Sequence, residues 1–310
     1  VQMAVSPYFS AFTYRSGWGR HFHHYVIPRT AEVSQDNEKA RAVFKETLYD
    51  LDRGSWSFEA VFEVRPGSPF VETIYTMKVD AERDVFLFDG PRLHVGEGSF
   101  GDAMDEALFP GIEYLQQGER SSHMAALAPE VRINYVPSPA KITIPLMAVY
   151  NEGCVAGLMW DPMKPWLGSH TCPSALFASP NWIEDKSSHL MGLFLPNVPD
   201  YVAENSMRAH TPVTLKVGET MSLESALFAA PASSAADAVD LWLQRRGGLP
   251  APSKLPRTYL EQINEHTRIL VDDSWNKKGE GWFWDYDGIP SLNARSEERR
   301  VGKEWRSRWS

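Results

Sequence analysis

The sequence predicts a mostly β fold, in which an antiparallel β-sandwich is followed by a short helical segment. Three observations lead to this prediction. Apolar and polar residues alternate along several short stretches, which is the period of a strand with two different faces. Turn signals rich in Gly, Pro and Asn separate these stretches, as they do in antiparallel sheets. Apolar residues at helical spacing begin only after residue 232.

The first predicted strands follow one another through tight turns. Residues 55–64 alternate between an apolar and a polar face, and residues 65–69 (RPGSP) turn the chain. Residues 70–79 return as a second strand, and residues 85–88 form a third, which is short and apolar. Residues 36–49 fit either a short helix or the rim of a strand, and the pattern leaves both open.

A β-hairpin is the clearest local prediction. Residues 141–149 are predicted to alternate between two faces, with Ile142, Ile144, Leu146 and Ala148 on one of them, and Asn151-Glu152-Gly153 favours a turn because Asn and Gly tolerate positive φ. Residues 154–160 follow as a second apolar strand.

Further strands are predicted along the chain. Residues 176–194 supply one or two, and residues 213–217 and 221–228 are predicted to pair as a last hairpin around Gly218 and Glu219.

Two helices are predicted after the strands. Ser234 followed by Asp237 fits a capping box, and Gly247 ends the first helix. Residues 247–256 (GGLPAPSKLP) are typical of a stiff linker. The second helix has an apolar face formed by Leu260, Ile263 and Leu270.

These elements predict four segments. We expect a sandwich domain over residues 1–232, a capped helix and Pro-rich linker over 233–256, and the start of a truncated helical domain over 257–294. Residues 295–310 resemble translated sequencing-adapter DNA, although Trp305 stands where that pattern would have Cys. We interpret this tail as an artefact and exclude it from the fold.

Composition and charge exclude several classes of function. The formal net charge of −9 argues against nucleic acid, which requires basic patches. No run of about 18 apolar residues exists, so no membrane span is expected. Cys154 and Cys172 lack metal-binding spacing, and no pattern predicts a metal or a cofactor. No signal peptide is visible after Val1; because the chain starts in mid-pattern, we read it as a fragment or processed form and leave its location open.

The candidate ligand site is a Trp-rich loop after the central hairpin. Prolines and a glycine exclude a regular helix over residues 160–182. Sugars are bound by flat aromatic faces together with hydrogen-bonding side chains, so we predict that the loop lines a polar groove for a carbohydrate. The alternative is that its tryptophans pack in the core. The groove residues are Trp160, Asp161, Trp166, His170, Asn181 and Trp182.

Polar residues elsewhere are secondary candidates. His21 and His23 share one face of a predicted strand, and we expect them to approach Glu97 on a concave face and bind a polar ligand. They fit a half-buried, hydrogen-bonded strand as well, and no third metal ligand stands out. Glu97, Glu106 and Glu113 are weak catalytic candidates, since glycoside chemistry uses paired carboxylates; solvated loop carboxylates are the alternative.

Three segments carry a family resemblance. Residues 157–162 (GLMWDP), 177–182 (FASPNW) and 189–194 (HLMGLF) resemble bacterial carbohydrate-active proteins in which a galactose-mutarotase-like supersandwich precedes an (α/α) toroid. The order of a β domain, a capped helix, a linker and a Trp-rich helical region resembles the same architecture over about residues 15–290. The resemblance implies a supersandwich fold, a carbohydrate ligand and a missing helical domain of the same polypeptide as a partner. It carries no catalytic residue over.

The predicted function follows from this architecture and from the loop. We expect the β-sandwich part of a glycoside hydrolase or polysaccharide lyase, binding or shaping a sugar site at the junction with a helical domain. One alternative is a non-catalytic carbohydrate-binding or scaffolding module. Another is a mutarotase- or epimerase-like enzyme that uses His and carboxylate as acid and base. The chain by itself is expected to hydrolyse no glycoside.

Overall fold

The computed structural model describes residues 3–6, 9–15, 21–28, 30–121, 135–198, 205–249, 257–273, 275–276 and 281–282. The chain divides into two compact units, Val1–Gly248 and Leu249–Ser310. This division falls inside the segment that the sequence analysis set apart as helix and linker. The tail that we interpret as an artefact, residues 295–310, lies outside the described residues.

The first unit consists of strands followed by one helix. Its strands are β1 (Met3–Ser6), β2 (Phe9–Arg15), β3 (His21–Val26), β4 (Ala31–Gln35), β5 (Ala40–Tyr49), β6 (Ser55–Val64), β7 (Phe70–Val79), β8 (Arg83–Val95), β9 (Glu106–Phe109), β10 (Glu113–Gln116), β11 (Leu146–Asn151), β12 (Cys154–Trp160), β13 (Ser174–Ala178), β14 (His189–Leu195), β15 (Val213–Leu215) and β16 (Thr220–Pro231). A 3-10 turn covers Pro139–Lys141, and the helix α1 spans Asp237–Arg246.

The second unit begins with helix α2 (Tyr259–Arg268), which continues into a π-helical turn over Ile269–Asp273. An antiparallel pair follows, formed by β17 (Trp275–Asn276) and β18 (Gly281–Trp282). The predicted apolar face of α2 is exposed to solvent at Leu260, Ile263 and Leu270. No helix among the described residues is long and apolar enough to cross a membrane.

The strands of the first unit form two antiparallel sheets. A seven-stranded sheet has the order β13-β14-β8-β2-β3, with β1 and β15 also pairing with β8. A nine-stranded sheet has the order β10-β9-β11-β12-β16-β7-β6-β5-β4. Aromatic rings meet across the two sheets, with ring centroids 5.5 Å apart for Phe109 and Phe177 and 6.3 Å apart for Phe58 and Phe88. The predicted antiparallel sandwich is therefore confirmed.

Apolar clusters also cover the outer faces, which point away from the facing sheet. The outer cluster of the seven-stranded sheet contains Leu87, Leu176, Ala178, Leu190 and Phe194. That of the nine-stranded sheet contains Leu146, Ala148, Val155, Met159 and Phe228, and helix α1 packs on it through Ala238. Because strands β11 to β14 are buried on both faces, they consist of nearly continuous apolar runs.

Strand β8 is longer than the sequence predicts. The pattern indicates a short strand over residues 85–88, but β8 spans Arg83–Val95 and pairs with β14 and β2 on its two sides. Gly90 interrupts the apolar pattern for a packing reason. A Cβ added at Gly90 would lie 2.3 Å from Leu223 Cδ2 of β16, so a larger residue would require the buried Leu223 side chain to move.

The predicted last hairpin is wrong. Strand β15 pairs with β8 in the seven-stranded sheet, whereas β16 lies between β12 and β7 in the nine-stranded sheet. Residues 216–219 therefore carry the chain from one sheet to the other. A turn signal indicates that the chain reverses, but it does not specify whether the flanking strands pair with one another.

Other local predictions have mixed outcomes. The central hairpin is confirmed, with Asn151 opposite Cys154, and the open segment 36–49 contains strand β5. Helix α1 does end at Gly247, which has a left-handed φ of 79°. Its predicted capping box does not form, because the Asp237 carboxylate accepts hydrogen bonds from Ser233 and Ser234 instead.

Candidate functional site

Two tryptophans of the predicted groove lie in the core between the sheets. Trp160 is 3% exposed and Trp166 is 2% exposed, and both belong to the main apolar cluster. The Trp166 indole N–H donates to the Thr171 carbonyl (2.9 Å), and its ring stacks on exposed His170 at 4.9 Å. The geometry of these two tryptophans is that of core packing, although Trp160 is also among the residues that line a surface cleft.

Asn181 and Trp182 lie elsewhere, beside the outer face of the seven-stranded sheet. Trp182 packs edge-on against Tyr135 at 5.2 Å, and Asn181 is buried. The six predicted residues therefore do not share one groove. The physical reason is that the chain crosses between the sheets within residues 160–182, since β12 belongs to the nine-stranded sheet and β13 to the seven-stranded sheet.

The first candidate site is a cleft beside the end of β12. Helix α1 packs on the outer face of the nine-stranded sheet and brings its last turn next to the residues that follow the strand. The cavity between them measures about 420 Å³. It is lined by two prolines together with Trp160, Asp161, Met163, Trp242, Arg245 and Arg246.

The two arginines of this cleft differ in their partners. Arg245 donates twice to the Glu72 carboxylate, at 2.9 and 2.6 Å, and these hydrogen bonds raise its pKa above the ordinary arginine value. Arg246 lies over the Trp242 ring, with its guanidinium carbon 5.1 Å from the centroid. The Asp161 carboxylate accepts from the Met163 N–H at 2.9 Å, which orients it at the rim.

The second candidate site is a charged cluster on the outer face of the seven-stranded sheet, formed by Asp89, Arg92, His94, Asn181 and Glu184. Arg92 lies 3.0 Å from Asp89 and donates to Glu184 at 2.7 Å. Glu184 also accepts from His94 Nε2 at 2.5 Å and from Asn181 Nδ2 at 3.1 Å. Adjacent positions 93 and 95 face the core, so alternation along β8 places Arg92 and His94 on the outer face.

The pKa values in the cluster follow from its hydrogen bonds. Burial would raise the pKa of Glu184, but hydrogen bonds from His94, Asn181 and Arg92 outweigh burial and hold this pKa well below the ordinary range. Burial also opposes the charge on Arg92, yet its pKa is raised because Asp89 and Glu184 favour the charged form. Glu184 and Arg92 are therefore both ionised and closely paired.

The three carboxylates predicted as catalytic candidates have different surroundings. Glu97 lies 3.8 Å from His94 Nδ1 and is 42% exposed at its side chain, so it stands beside the charged cluster. Glu106 accepts from the Ala235 N–H at 2.8 Å and anchors the approach to helix α1. Glu113 lies in β10, at the edge of the nine-stranded sheet.

The predicted approach of His21 and His23 to Glu97 is wrong. Both histidines lie in β3, which pairs through β2 with the beginning of β8 near Asp84 and Leu87. Glu97 follows the opposite end of β8, and at about 3.3 Å per residue the strand separates them widely. His23 is exposed and meets the ring of Tyr25 at 5.0 Å.

A third polar pair is closed to ligands. Ser179 Oγ and His189 Nδ1 lie 2.8 Å apart, a spacing that nucleophile and base pairs also show. Both residues are 0% exposed, and burial lowers the pKa of His189. The pair therefore joins strands β13 and β14 rather than facing a substrate. Within the described ranges, no group of three or more His, Cys, Asp or Glu could hold a metal ion.

The residues that define the cleft and the charged cluster were not identified from the sequence. The charged cluster depends on Arg92, His94 and Glu184, and the cleft on Trp242 and Arg246. Arg92 and His94 alternate with apolar residues in the stretch PRLHV, and this signal marks a polar stripe on a strand. Nothing in the sequence indicates that a residue 92 positions away completes the cluster.

No protein-family model and no curated protein matches the sequence. Solved structures similar to the chain include α-N-acetylgalactosaminidase NagBb from Bifidobacterium bifidum in complex with GalNAc, at 13% identity and a TM-score of 0.44, covering 84% of this chain and 36% of that one. They also include galactose mutarotase-like proteins from Lactobacillus casei, at 12% identity and a TM-score of 0.39, covering 74% and 85%, and from Clostridium acetobutylicum, at 10% identity and 0.35, covering 74% and 79%. The chain spans about a third of the length of the Bifidobacterium enzyme.

Proposed function

We propose that the chain is the β-sandwich part of a carbohydrate-active enzyme of the glycoside hydrolase or polysaccharide lyase type, and that it holds a sugar in the cleft between β12 and helix α1. The observation that carries this proposal is the lining of the cleft. It combines indole and proline surfaces with a carboxylate and guanidinium groups in a cavity of about 420 Å³. Small-molecule sites are typically concave, with apolar walls and a few polar groups that fix orientation.

Binding rather than catalysis fits the groups in the cleft. Asp161 is the one carboxylate among its described lining residues. Glycoside hydrolysis by either common route uses two carboxyl groups that flank the scissile bond. A sugar in the cleft would therefore be positioned by this chain, while the acid and base come from another segment.

Calorimetric titration of the whole chain with neutral and acidic oligosaccharides tests the proposal. Asp161→Asn and Trp242→Ala are expected to weaken sugar binding roughly tenfold or more, because the first replaces a charged acceptor of sugar hydroxyls by a neutral amide and the second removes apolar surface from the cleft. Asp240→Asn is the matched control, since Asp240 is an exposed residue of α1 that does not line the cleft. If no sugar binds, or if the control weakens binding equally, the proposal is wrong.

A mutarotase-like activity is a second candidate, which the His94 environment favours. Glu184 accepts from His94 Nε2, while the other ring nitrogen, Nδ1, faces Glu97 across 3.8 Å. A histidine oriented by a carboxylate can transfer a proton at a sugar hemiacetal. Polarimetry of aldose mutarotation would test this candidate, with His94→Asn compared against His23→Asn. Activity that His94→Asn leaves unchanged would exclude the cluster as its source.

A further inference from the structure

We infer that the sugar held by the cleft carries a carboxylate, as a uronic acid does; this inference rests on the proposed function. The residue that carries it is Arg246, which is exposed at the end of helix α1. Its guanidinium carbon lies 5.1 Å from the Trp242 ring centroid. Among the described residues, the Arg246 side chain contacts this ring and forms no hydrogen bond or ion pair.

A guanidinium that lies over an aromatic ring still has its N–H groups at the edge of the guanidinium plane, where a ligand can reach them. Those groups can donate in pairs to a planar carboxylate, and such charge-assisted pairs are stronger than hydrogen bonds between neutral groups. The ring contact also limits the orientations of a long side chain, so less freedom is lost when a ligand binds. Arg246 is therefore a preformed recognition group for an anion.

The neighbouring arginine shows why Arg246 differs. Arg245 already donates to both oxygens of Glu72, at 2.9 and 2.6 Å, so its strongest donors are used. Lys164 is paired with Glu224 at 3.3 Å. Charges around the cleft are therefore nearly balanced, and the preference for an anion comes from the unused donors of Arg246 rather than from a broad positive field.

The remaining groups favour a sugar acid over a simple anion. Asp161 is exposed, and one of its oxygens accepts from the Met163 N–H, so the carboxylate keeps acceptor positions for sugar hydroxyls. Trp242 and the prolines supply apolar surface. A ligand that carries one carboxylate and several hydroxyls on a partly apolar ring matches both sides of the cleft.

The test compares matched pairs of ligands with the whole chain by calorimetry. Oligosaccharides of galacturonate, glucuronate and mannuronate are each titrated beside their carboxyl-reduced neutral counterparts. At least one uronate is expected to bind roughly ten- to a hundredfold more tightly than its neutral counterpart, since a charge-assisted pair is gained. This preference should shrink at high salt, because the pair is solvent-accessible.

Variants of Arg246 separate this inference from the proposed function. Arg246→Gln should bring the ratio of uronate to neutral-sugar affinity down to about one, and Arg246→Lys should keep only part of the preference because lysine lacks the planar fork. Arg65→Gln, an exposed arginine outside the cleft, is the control. Equal binding of uronate and neutral sugar, a preference that survives in Arg246→Gln, or tighter binding of a sulfated sugar would overturn the inference while sugar binding stands. Binding of no sugar at all would overturn both.

Discussion

The charged cluster and the cleft both place an arginine beside carboxylates, but they use it in different ways. Arg92 of the cluster is 15% exposed at its side chain, and it lies between Asp89 and Glu184. Arg246 of the cleft is exposed and rests on Trp242. Arg92 is paired within the protein on two sides, whereas Arg246 keeps its donors for a ligand.

This difference has an energetic cause. Charges removed from water must be paired and hydrogen-bonded, so a buried cluster tolerates little change in any member. A charge at the surface remains hydrated and needs no partner, so the protein loses little stability when no ligand is bound to it. We therefore expect stability to depend on the cluster and recognition to depend on the cleft.

The largest expected effect is that of Glu184→Ala. This change leaves Arg92 and His94 buried without their shared acceptor, and the free energy of unfolding should fall by about 3 kcal/mol. Urea unfolding monitored by fluorescence measures this loss of unfolding free energy. Glu97→Ala is the control, because a side chain that is 42% exposed should cost less than about 0.5 kcal/mol. Equal costs for the two variants would show that the cluster is not a stabilising unit.

The pH dependence of stability should reveal the contribution of Glu184. The folded pKa of Glu184 is depressed, so its stabilising contribution is complete above the ordinary glutamate value of 4.5 and is lost as the pH falls through the lower folded value. Urea midpoints of the wild type should therefore fall more steeply below about pH 4.5 than those of Glu184→Gln. Parallel pH profiles would contradict the depressed pKa.

A smaller effect is expected for Glu72→Gln, which removes the carboxylate partner of Arg245 beside the cleft. The pair of Glu72 and Arg245 is 44% and 30% exposed at its side chains, and the cost of breaking it should be below about 1 kcal/mol after solvent screening. Urea unfolding at low and high salt checks this value. A loss as large as that of Glu184→Ala would mean that the pair of Glu72 and Arg245 stabilises the fold as strongly as the charged cluster does.

The smallest effect on stability is expected for Arg246→Gln. It removes one exposed contact between a cation and a ring, so the change in unfolding free energy should be about 0.5 kcal/mol. Thermal unfolding without ligand gives the measurement. A loss above about 1.5 kcal/mol would indicate a structural role for Arg246, which would weaken its interpretation as a free recognition group.

The candidate site could be predicted from the sequence only in part. Trp160 and Asp161, predicted as groove residues at the end of a strand, both line the cleft, and their role in binding a sugar stays a prediction. Trp242 and Arg246 lie within the first predicted helix, and a helix prediction does not indicate the sheet on which that helix packs. Trp166 was expected in a groove, but residue type does not distinguish an indole that faces solvent from one that fills the core.

The sequence by itself determined the class of fold. Alternation along residues 55–64, the turn at Asn151 to Gly153 and the glycine after α1 act locally, because strand period, turn geometry and helix ends depend on a few neighbouring residues. Only the tertiary structure decided which sheet each strand joins, as β15 and β16 show by entering different sheets. It also decided that Arg92 and Glu184 meet across 92 positions. Such pairings depend on which faces the whole chain buries, and a local pattern gives a strand two faces without specifying what covers either of them.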